Sequence, residues 1–207
     1  MSYREEILVI CGPMWAGKSG TALILIDKLK HANIPYLVFR PNIDRYKDSL
    51  GSRYMQMKIP AISIDAKNPK EIYNHIDLNN LKLPLTIVMD EAQFYSDDLF
   101  DVVQDLHSRG VRFIIAGLEI DENLKPFGVM PKILAIASKV VKLRAVCVNC
   151  ADDAWRLALK VDAPEPKVKN LKVGDTDLKL GGDETFAPMC SACYFENLSK
   201  LQEKNKK

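Results

Sequence analysis

Short apolar runs alternate with amphipathic or polar stretches through the first two thirds of the chain. These runs predict buried strands at residues 7–11, 36–39, 61–64, 85–89, 111–116 and 140–146. Residues 21–30 and 131–138 predict helices, and Pro69 opens a short helix. A capped amphipathic helix begins after Ser96 and is closed by Gly110. Because strands alternate with helices, the pattern predicts an α/β domain with a parallel sheet and helices on both faces.

One long stretch has no sustained period. Residues 42 to about 60 therefore predict a long loop, a feature often connected with function. Gly12, Asp90 and Gly117 each fall just after a predicted strand. Ligands of parallel α/β sheets bind at the carboxyl ends of the strands. The pattern is consistent with one shared site at that edge of the sheet.

Composition limits the kinds of protein this chain can be. Its 207 residues, 47% of them hydrophobic, suffice for one substantial core and a small appendage. The net charge of +2 indicates no nucleic-acid partner. No apolar run approaches the roughly 20 residues of a membrane span, and residues 1–6 lack the pattern of a signal peptide. We therefore expect a cytoplasmic protein with a disordered, lysine-rich tail at 201–207.

A phosphate-binding motif follows the first predicted strand. The residues Gly12, Pro13, Met14, Trp15, Ala16, Gly17, Lys18 and Ser19 fit the P-loop pattern G-x-x-x-x-G-K-[ST] between a strand and a helix. The glycines let successive backbone N–H groups point at phosphate oxygens, and the helix N-terminus adds partial positive charge. Lys18 would reach the outer phosphates and Ser19 would hold Mg²⁺. The alternative is a glycine turn beside a chance lysine.

Two carboxylates end the strand predicted at residues 85–89. Asp90 can hold Mg²⁺ directly or through water, and Glu91 can act as a general base near the γ-phosphate. Neighbouring side chains diverge, so the two carboxylates need not share one task. The alternative for Glu91 is an ordinary charge in the first turn of a helix.

Two C-x-x-C pairs mark a change of character after Val146. The four cysteines Cys147, Cys150, Cys190 and Cys193 can close a tetrahedral zinc site that pins the base of a long excursion. The alternative is four ordinary thiols. Cys11 is expected to be a core thiol. We predict a nucleotide-binding domain at 1–145 and a zinc-bound domain at 146–200.

Several blocks together resemble the type II thymidine kinases, the tetrameric zinc-containing class. The blocks are GPMWAGKS at 12–19, DEAQFY at 90–95, GLE with PFG at 117–128, VKLRAVC at 141–147, and GG with CSACY at 181–194. They run in the family's order over nearly the whole chain. The resemblance implies a RecA-like P-loop domain and a C-terminal lasso that covers the base of the substrate.

The resemblance also implies a reaction and its residues. It implies transfer of phosphate from ATP-Mg²⁺ to the 5′-hydroxyl of a deoxynucleoside, most simply thymidine, for pyrimidine salvage and DNA precursor synthesis. Glu91 would deprotonate that hydroxyl, ATP would lie on residues 12–19 and on Asp90, Glu91, Ala92 and Gln93, and the four cysteines would hold structural zinc. The acceptor would contact Asp44, Leu118, Glu122, Gly181 and Phe186. A homotetramer is implied by resemblance alone.

The departures from the family pattern concentrate on the acceptor side. Glu122 stands where the family has Phe, Phe186 replaces a Tyr, and Leu157 and Ser191 replace polar residues. The Asp44 motif is one residue short. Two alternatives therefore stay beside thymidine phosphorylation: a kinase with another nucleoside acceptor, and a non-catalytic nucleotide-binding relative. Retention of both Lys18 and Glu91 argues against the second.

Overall fold

The structure is a computed structural model that describes residues 7–43, 49–51, 57–164, 167–173 and 176–204. Strands and helices alternate through its first two thirds. The strands are β1 (Ile7–Cys11), β2 (Tyr36–Pro41), β3 (Ser49–Gly51), β4 (Lys58–Pro60), β5 (Ile62–Ile64), β6 (Thr86–Met89), β7 (Arg112–Gly117), β8 (Lys139–Lys142), β9 (Ala145–Val146), β10 (Asp153–Ala154), β11 (Arg156–Leu159), β12 (Lys167–Val173), β13 (Thr176–Leu180) and β14 (Phe186–Met189). The α-helices are α1 (Lys18–His31), α2 (Asp98–Ser108), α3 (Met130–Ile136) and α4 (Ser191–Lys204), and short 3-10 helices span Pro69–His75, Leu78–Asn80 and Ala92–Phe94.

A six-stranded parallel sheet forms the centre of the molecule. Its strand order is β5-β2-β6-β7-β1-β8, and every neighbouring pair in it is parallel. Strand β7 therefore lies between β1, which leads into the P-loop, and β6, which leads into Asp90. The predicted α/β class, with a parallel sheet and helices, is confirmed.

Each face of the sheet carries its own hydrophobic core. Strand β1 shows why: Ile7 and Val9 pack among side chains of α2 and α3, whereas Leu8 and Ile10 pack against α1. Successive side chains of a strand point to opposite faces, so a strand buried on both sides reads as a continuous apolar run. Helices thus cover both faces, as the sequence predicted.

Two local predictions need correction. The predicted loop at 42–60 contains an antiparallel pair, β3 with β4, whose Leu50 and Ile59 are buried against the α1 face of the sheet. Three-residue strands are too short to show a period of two. The predicted strand at 140–146 is divided into β8 and β9, because the chain leaves the sheet after Leu143 donates a last hydrogen bond to the Cys11 carbonyl at 2.8 Å.

The C-terminal part is built from small antiparallel sheets and α4. The pairs are β9 with β10, β11 with β14, and β12 with β13. Alanine supplies much of its core, at Ala145, Ala154, Ala158 and Ala187. Helix α4 continues to Lys204, so residues 201–204 of the predicted disordered tail are helical. The Lys204 ammonium donates to the Val161 carbonyl at 2.9 Å, which ties this last turn to the domain.

Helices α1 and α4 each have 14 residues. Across the ranges that the structure describes, no helix combines the length and the apolar character that crossing a bilayer would need.

Candidate active site

The P-loop motif begins after β1 and ends at Ser19, the second residue of α1. Gly12 has φ +137° and Gly17 has φ +87°, values that favour glycine. A Cβ on Gly12 would lie 2.4 Å from the Leu143 carbonyl oxygen, so only glycine fits there. Lys18 opens α1 and Ser19 follows it in the first turn. The motif therefore adopts the strand–loop–helix context that the sequence predicted.

The Lys18 side chain folds back over the loop. Its ammonium donates to the Gly12 carbonyl at 2.9 Å and to the Pro13 carbonyl at 2.8 Å. Burial lowers the pKa of Lys18, and the carboxylates of Glu91, Asp90 and Glu119 oppose that shift. The positive charge of Lys18 therefore interacts with all three carboxylates.

Asp90 lies at the end of β6 and is almost fully buried. Its Oδ2 lies 3.1 Å from Arg40 Nη2, and Arg40 also donates to the Ser49 carbonyl at 2.6 Å. Burial and the neighbouring Glu91 charge raise the pKa of Asp90 to about 6, although Arg40 and Lys18 lower it. Apart from this ion pair with Arg40, Asp90 Oδ2 makes no hydrogen bond within the described residues. Such a buried, incompletely satisfied oxygen fits a metal ligand.

Glu91 occupies a different environment from Asp90. Its backbone is left-handed, with φ 53°, an uncommon conformation for a glutamate, and it is only half-buried. Glu91 Oε2 accepts a hydrogen bond from Gln93 Nε2 at 2.6 Å. The buried Gln93 in turn accepts a hydrogen bond from the Leu118 N–H at 3.0 Å. Glu91 is therefore held by a side chain that is itself anchored to the segment after β7.

Glu119 connects this same segment to the P-loop. Its Oε2 accepts a hydrogen bond from the Gly12 N–H at 2.8 Å, and its Oε1 lies 3.1 Å from Lys142 Nζ. Glu119 is only 7% exposed. The sequence predicted no role for Glu119 or for Arg40. The sequence signal that pointed to Glu119 is its position just after the end of a strand.

The residues predicted for the acceptor side are partly brought together. Leu118 and Phe186 share a small apolar cluster with Leu157, and Met14 of the P-loop packs against it. A Cβ on Gly181 would lie 2.7 Å from the Phe186 ring, so these two residues are in close contact.

Glu122 makes polar contacts with two other residues. Glu122 is half-buried; its Oε1 accepts a hydrogen bond from Asn123 at 3.1 Å, and its carbonyl accepts one from the Tyr194 hydroxyl at 2.7 Å. Asp44 lies outside the described residues. The contact of either residue with an acceptor stays a prediction.

The four cysteines of the C-x-x-C pairs converge as predicted. The sulfurs of Cys147, Cys150, Cys190 and Cys193 all lie within 4.8 Å of one another. Cys150 and Cys190 are 3.7 Å apart, close to the roughly 3.8 Å between sulfurs of a tetrahedral zinc site. Burial opposes ionisation of Cys147, yet backbone hydrogen bonds from Cys190, Asn149 and Cys150 lower its pKa to about 6. The cluster is compatible with a bound metal, whereas Cys11 is buried in the core.

Comparison with known proteins agrees with this geometry. A family model described as thymidine kinase matches residues 5–194. This chain belongs to the thymidine kinase family. Thymidine kinase of Mycoplasmoides gallisepticum is 34% identical to it over 185 residues, which cover 89% of this chain and 78% of that relative. The predicted resemblance is confirmed, and with it the class of enzyme, a transferase of the kinase type.

In this chain, the P-loop after β1 and the carboxylates Asp90 and Glu91 after β6 thus lie at the same edge of the sheet. Residues 118–119 bond to the start of the loop and, through Gln93, to Glu91. The role of each residue in catalysis and in binding stays a prediction.

Proposed function

We propose that this enzyme transfers the γ-phosphoryl group of ATP to the 5′-hydroxyl of thymidine, giving the 5′-monophosphate for DNA precursor synthesis. One observation carries the proposal. Residues 118–119 bond to the first glycine of the P-loop on one side and, through Gln93, to Glu91 on the other. A phosphate-binding loop and a carboxylate held at one strand edge suit phosphoryl transfer.

On the donor side, the backbone of residues 12–19 and Lys18 would hold the phosphates. The hydrogen bonds that Lys18 now makes to Gly12 and Pro13 are ones it can exchange for phosphate oxygens. Ser19 and Asp90 are the residues that would hold Mg²⁺, which when bound supplies charge neutralisation at the phosphates. The Arg40 contact holds Asp90 in place for that task.

On the acceptor side, Glu91 would take the proton of the attacking hydroxyl. It suits this role because it is half-buried and has only one hydrogen bond, from Gln93, among the contacts described above. Asp90 is buried against Arg40 and is therefore poorly placed for the same task. Proton abstraction by a positioned base contributes roughly 10²- to 10⁴-fold to a rate.

The cysteine cluster would hold a structural zinc ion through Cys147, Cys150, Cys190 and Cys193. Zinc there would cross-link the two ends of a domain whose core consists largely of alanine. A cytoplasmic location is part of the proposal, supported by five cysteines that form no disulfide. A homotetramer is proposed from the family resemblance alone.

The test is an acceptor panel with two variants. Wild type, Glu91→Gln and Glu196→Gln are assayed for phosphate transfer from ATP-Mg²⁺ to thymidine and to other nucleosides, and ADP affinity is measured by calorimetry. Glu91→Gln should lower kcat at least about 100-fold with little change in ADP affinity. Glu196, an exposed partner of Lys200 on α4, is the control and should behave as wild type.

Full transfer by Glu91→Gln would refute the role of Glu91 as the base. A clear preference of wild type for another nucleoside would replace thymidine as the acceptor. Nucleotide binding without transfer to any nucleoside would refute the proposed reaction.

A further inference from the structure

The side chains at the tip of the P-loop contact the C-terminal part of the chain. Met14 packs against the cluster that contains Leu157 and Phe186. Ala16 packs against the alanine-rich core that includes the metal-site cysteines. Trp15, between them, donates a hydrogen bond from Nε1 to Asp183 Oδ1 at 3.0 Å. The loop that would hold phosphate is thus seated on the part of the chain expected to cover the nucleoside.

Among the side chains of Met14, Trp15 and Ala16, Trp15 makes the polar contact. Its backbone has φ 65°, a region that bulky residues seldom occupy, so the ring is presented from an unfavourable conformation. A Phe ring at this position would have no N–H to donate. The bond to Asp183 joins residues 168 positions apart. It is therefore a tertiary connection particular to this side chain.

Asp183 is itself fixed in a short turn. Its carbonyl accepts a hydrogen bond from Lys160 Nζ. The Gly182 carbonyl accepts from the N–H groups of Thr185 at 3.0 Å and Phe186 at 2.8 Å. The same turn therefore holds the Trp15 partner and the Phe186 ring. A shift of the P-loop on binding phosphate would be transmitted to Phe186 through this turn.

We propose that Trp15 is a positioning residue that couples nucleotide binding at the P-loop to nucleoside binding under the 181–186 turn. The inference rests on the proposed function, because it takes the acceptor to lie against Phe186. Nucleotide that orders the loop would order the turn, and bound nucleoside would in turn favour nucleotide, since such coupling is reciprocal.

The experiment uses Trp15→Phe with Trp155→Phe as its matched control. Trp155 is 37% exposed against 36% for Trp15, and its Nε1 donates to Ser191 Oγ at 2.9 Å. Both substitutions remove one indole hydrogen bond and keep an aromatic ring, but only Trp15 lies in the loop. The full-length enzyme is assayed for the KM and kcat of thymidine and for thymidine affinity with and without saturating ADP.

Trp15→Phe should raise the thymidine KM about three- to tenfold, with a smaller change in kcat, and should reduce the gain in thymidine affinity that ADP produces. Trp155→Phe should match wild type in both. Asp183→Ala should change the thymidine KM and the ADP coupling as Trp15→Phe does, and the double variant should be no worse than either single variant. Asp183→Asn keeps an acceptor oxygen and should therefore regain much of the wild-type KM and coupling.

Two outcomes would overturn the inference. If wild type phosphorylates thymidine and Trp15→Phe matches Trp155→Phe in KM and in ADP coupling, Trp15 has no such role. Additive losses in the double variant would show that Trp15 and Asp183 act separately. An inactive wild type would instead contradict the proposed function itself. If Trp15→Phe failed to fold, Asp183→Ala and Asp183→Asn would give the same comparison.

Discussion

Glu119 offers the sharpest test of how the P-loop is held. Its carboxylate accepts the hydrogen bond of the buried Gly12 N–H and pairs with Lys142. Glu119→Ala removes both contacts, Glu119→Gln keeps an oxygen that can accept the N–H, and Lys142→Met removes only the ion pair. The three variants separate the backbone brace from the salt bridge.

The expected magnitudes differ because the two contacts differ in burial. Leaving the Gly12 N–H without an acceptor costs about 1–3 kcal/mol, and 2 kcal/mol corresponds to a fall in Tm of roughly 4–8 °C for a chain of this size. The Lys142 side chain is 59% exposed, so its ion pair contributes at most about 1 kcal/mol. We therefore expect Glu119→Ala to be clearly less stable than Lys142→Met, with Glu119→Gln near the latter.

Thermal unfolding followed by circular dichroism measures this order directly. Calorimetry with ADP adds a second readout, because a loop whose first N–H is no longer oriented should bind phosphate less tightly in Glu119→Ala. If Glu119→Ala unfolds at the same temperature as Lys142→Met, the hydrogen bond to Gly12 does not support the loop, and the reasoning is wrong.

Two further predictions concern the metal cluster and alkaline stability. The intact protein should bind about one zinc ion, and Cys190→Ser should lose most of it. The variant should also lose up to roughly 4 kcal/mol of stability, which is the entropy of closing the 39-residue span between Cys150 and Cys190. Cys11→Ala, measured alongside by metal analysis, should bind as much zinc as wild type. Tyr73 donates to Asp105 at 2.9 Å, and burial together with Asp105 raises its pKa to about 12. The folded protein then keeps a proton that the unfolded chain releases above about pH 10, so stability should fall from pH 10 to 12, and less steeply in Tyr73→Phe.

The zinc prediction and the alkaline-stability prediction can each be contradicted by measurement. Less than about half an equivalent of zinc in the intact protein, or full zinc in Cys190→Ser, would count against the four-sulfur site. Urea midpoints of wild type and Tyr73→Phe that fall equally between pH 10 and 12 would show that this hydroxyl is not responsible.

The parts of the fold that the sequence predicted are those with local signals. Residues 7–11 form a strand because they are apolar on both faces, and residues 12–17 form a loop because glycine permits the backbone angles at Gly12 and Gly17. The two C-x-x-C pairs predicted their own convergence, because four thiols in such pairs can bind one metal ion. For the strand and the loop the physical cause lies within a few residues of its effect, whereas the cysteine pairs, 39 residues apart, are recognised by their spacing.

The parts that escaped prediction depend on contacts between distant residues. The acceptor that Glu119 offers to Gly12 lies 107 positions along the chain, and no local pattern announces it. Arg40 reaches Asp90 only because β2 and β6 are neighbours in the sheet. Strands β3 and β4 are held by burial of Leu50 and Ile59 beneath the sheet, which their short sequences do not reveal.

The position of β7 in the sheet has a consequence for how the site can vary. Adjacent strands lie about 4.8 Å apart, so one intervening strand separates the ends of β1 and β6 by about 10 Å. Main-chain hydrogen bonds that join β1 to β7 and β7 to β6 fix this distance, so it does not depend on any side chain. If the acceptor lies against Phe186 as proposed, replacement of residues around Phe186 would alter the choice of acceptor and leave the distance between the P-loop and the carboxylates unchanged. The proposed donor side would then be set by the backbone, and the proposed acceptor side by side chains.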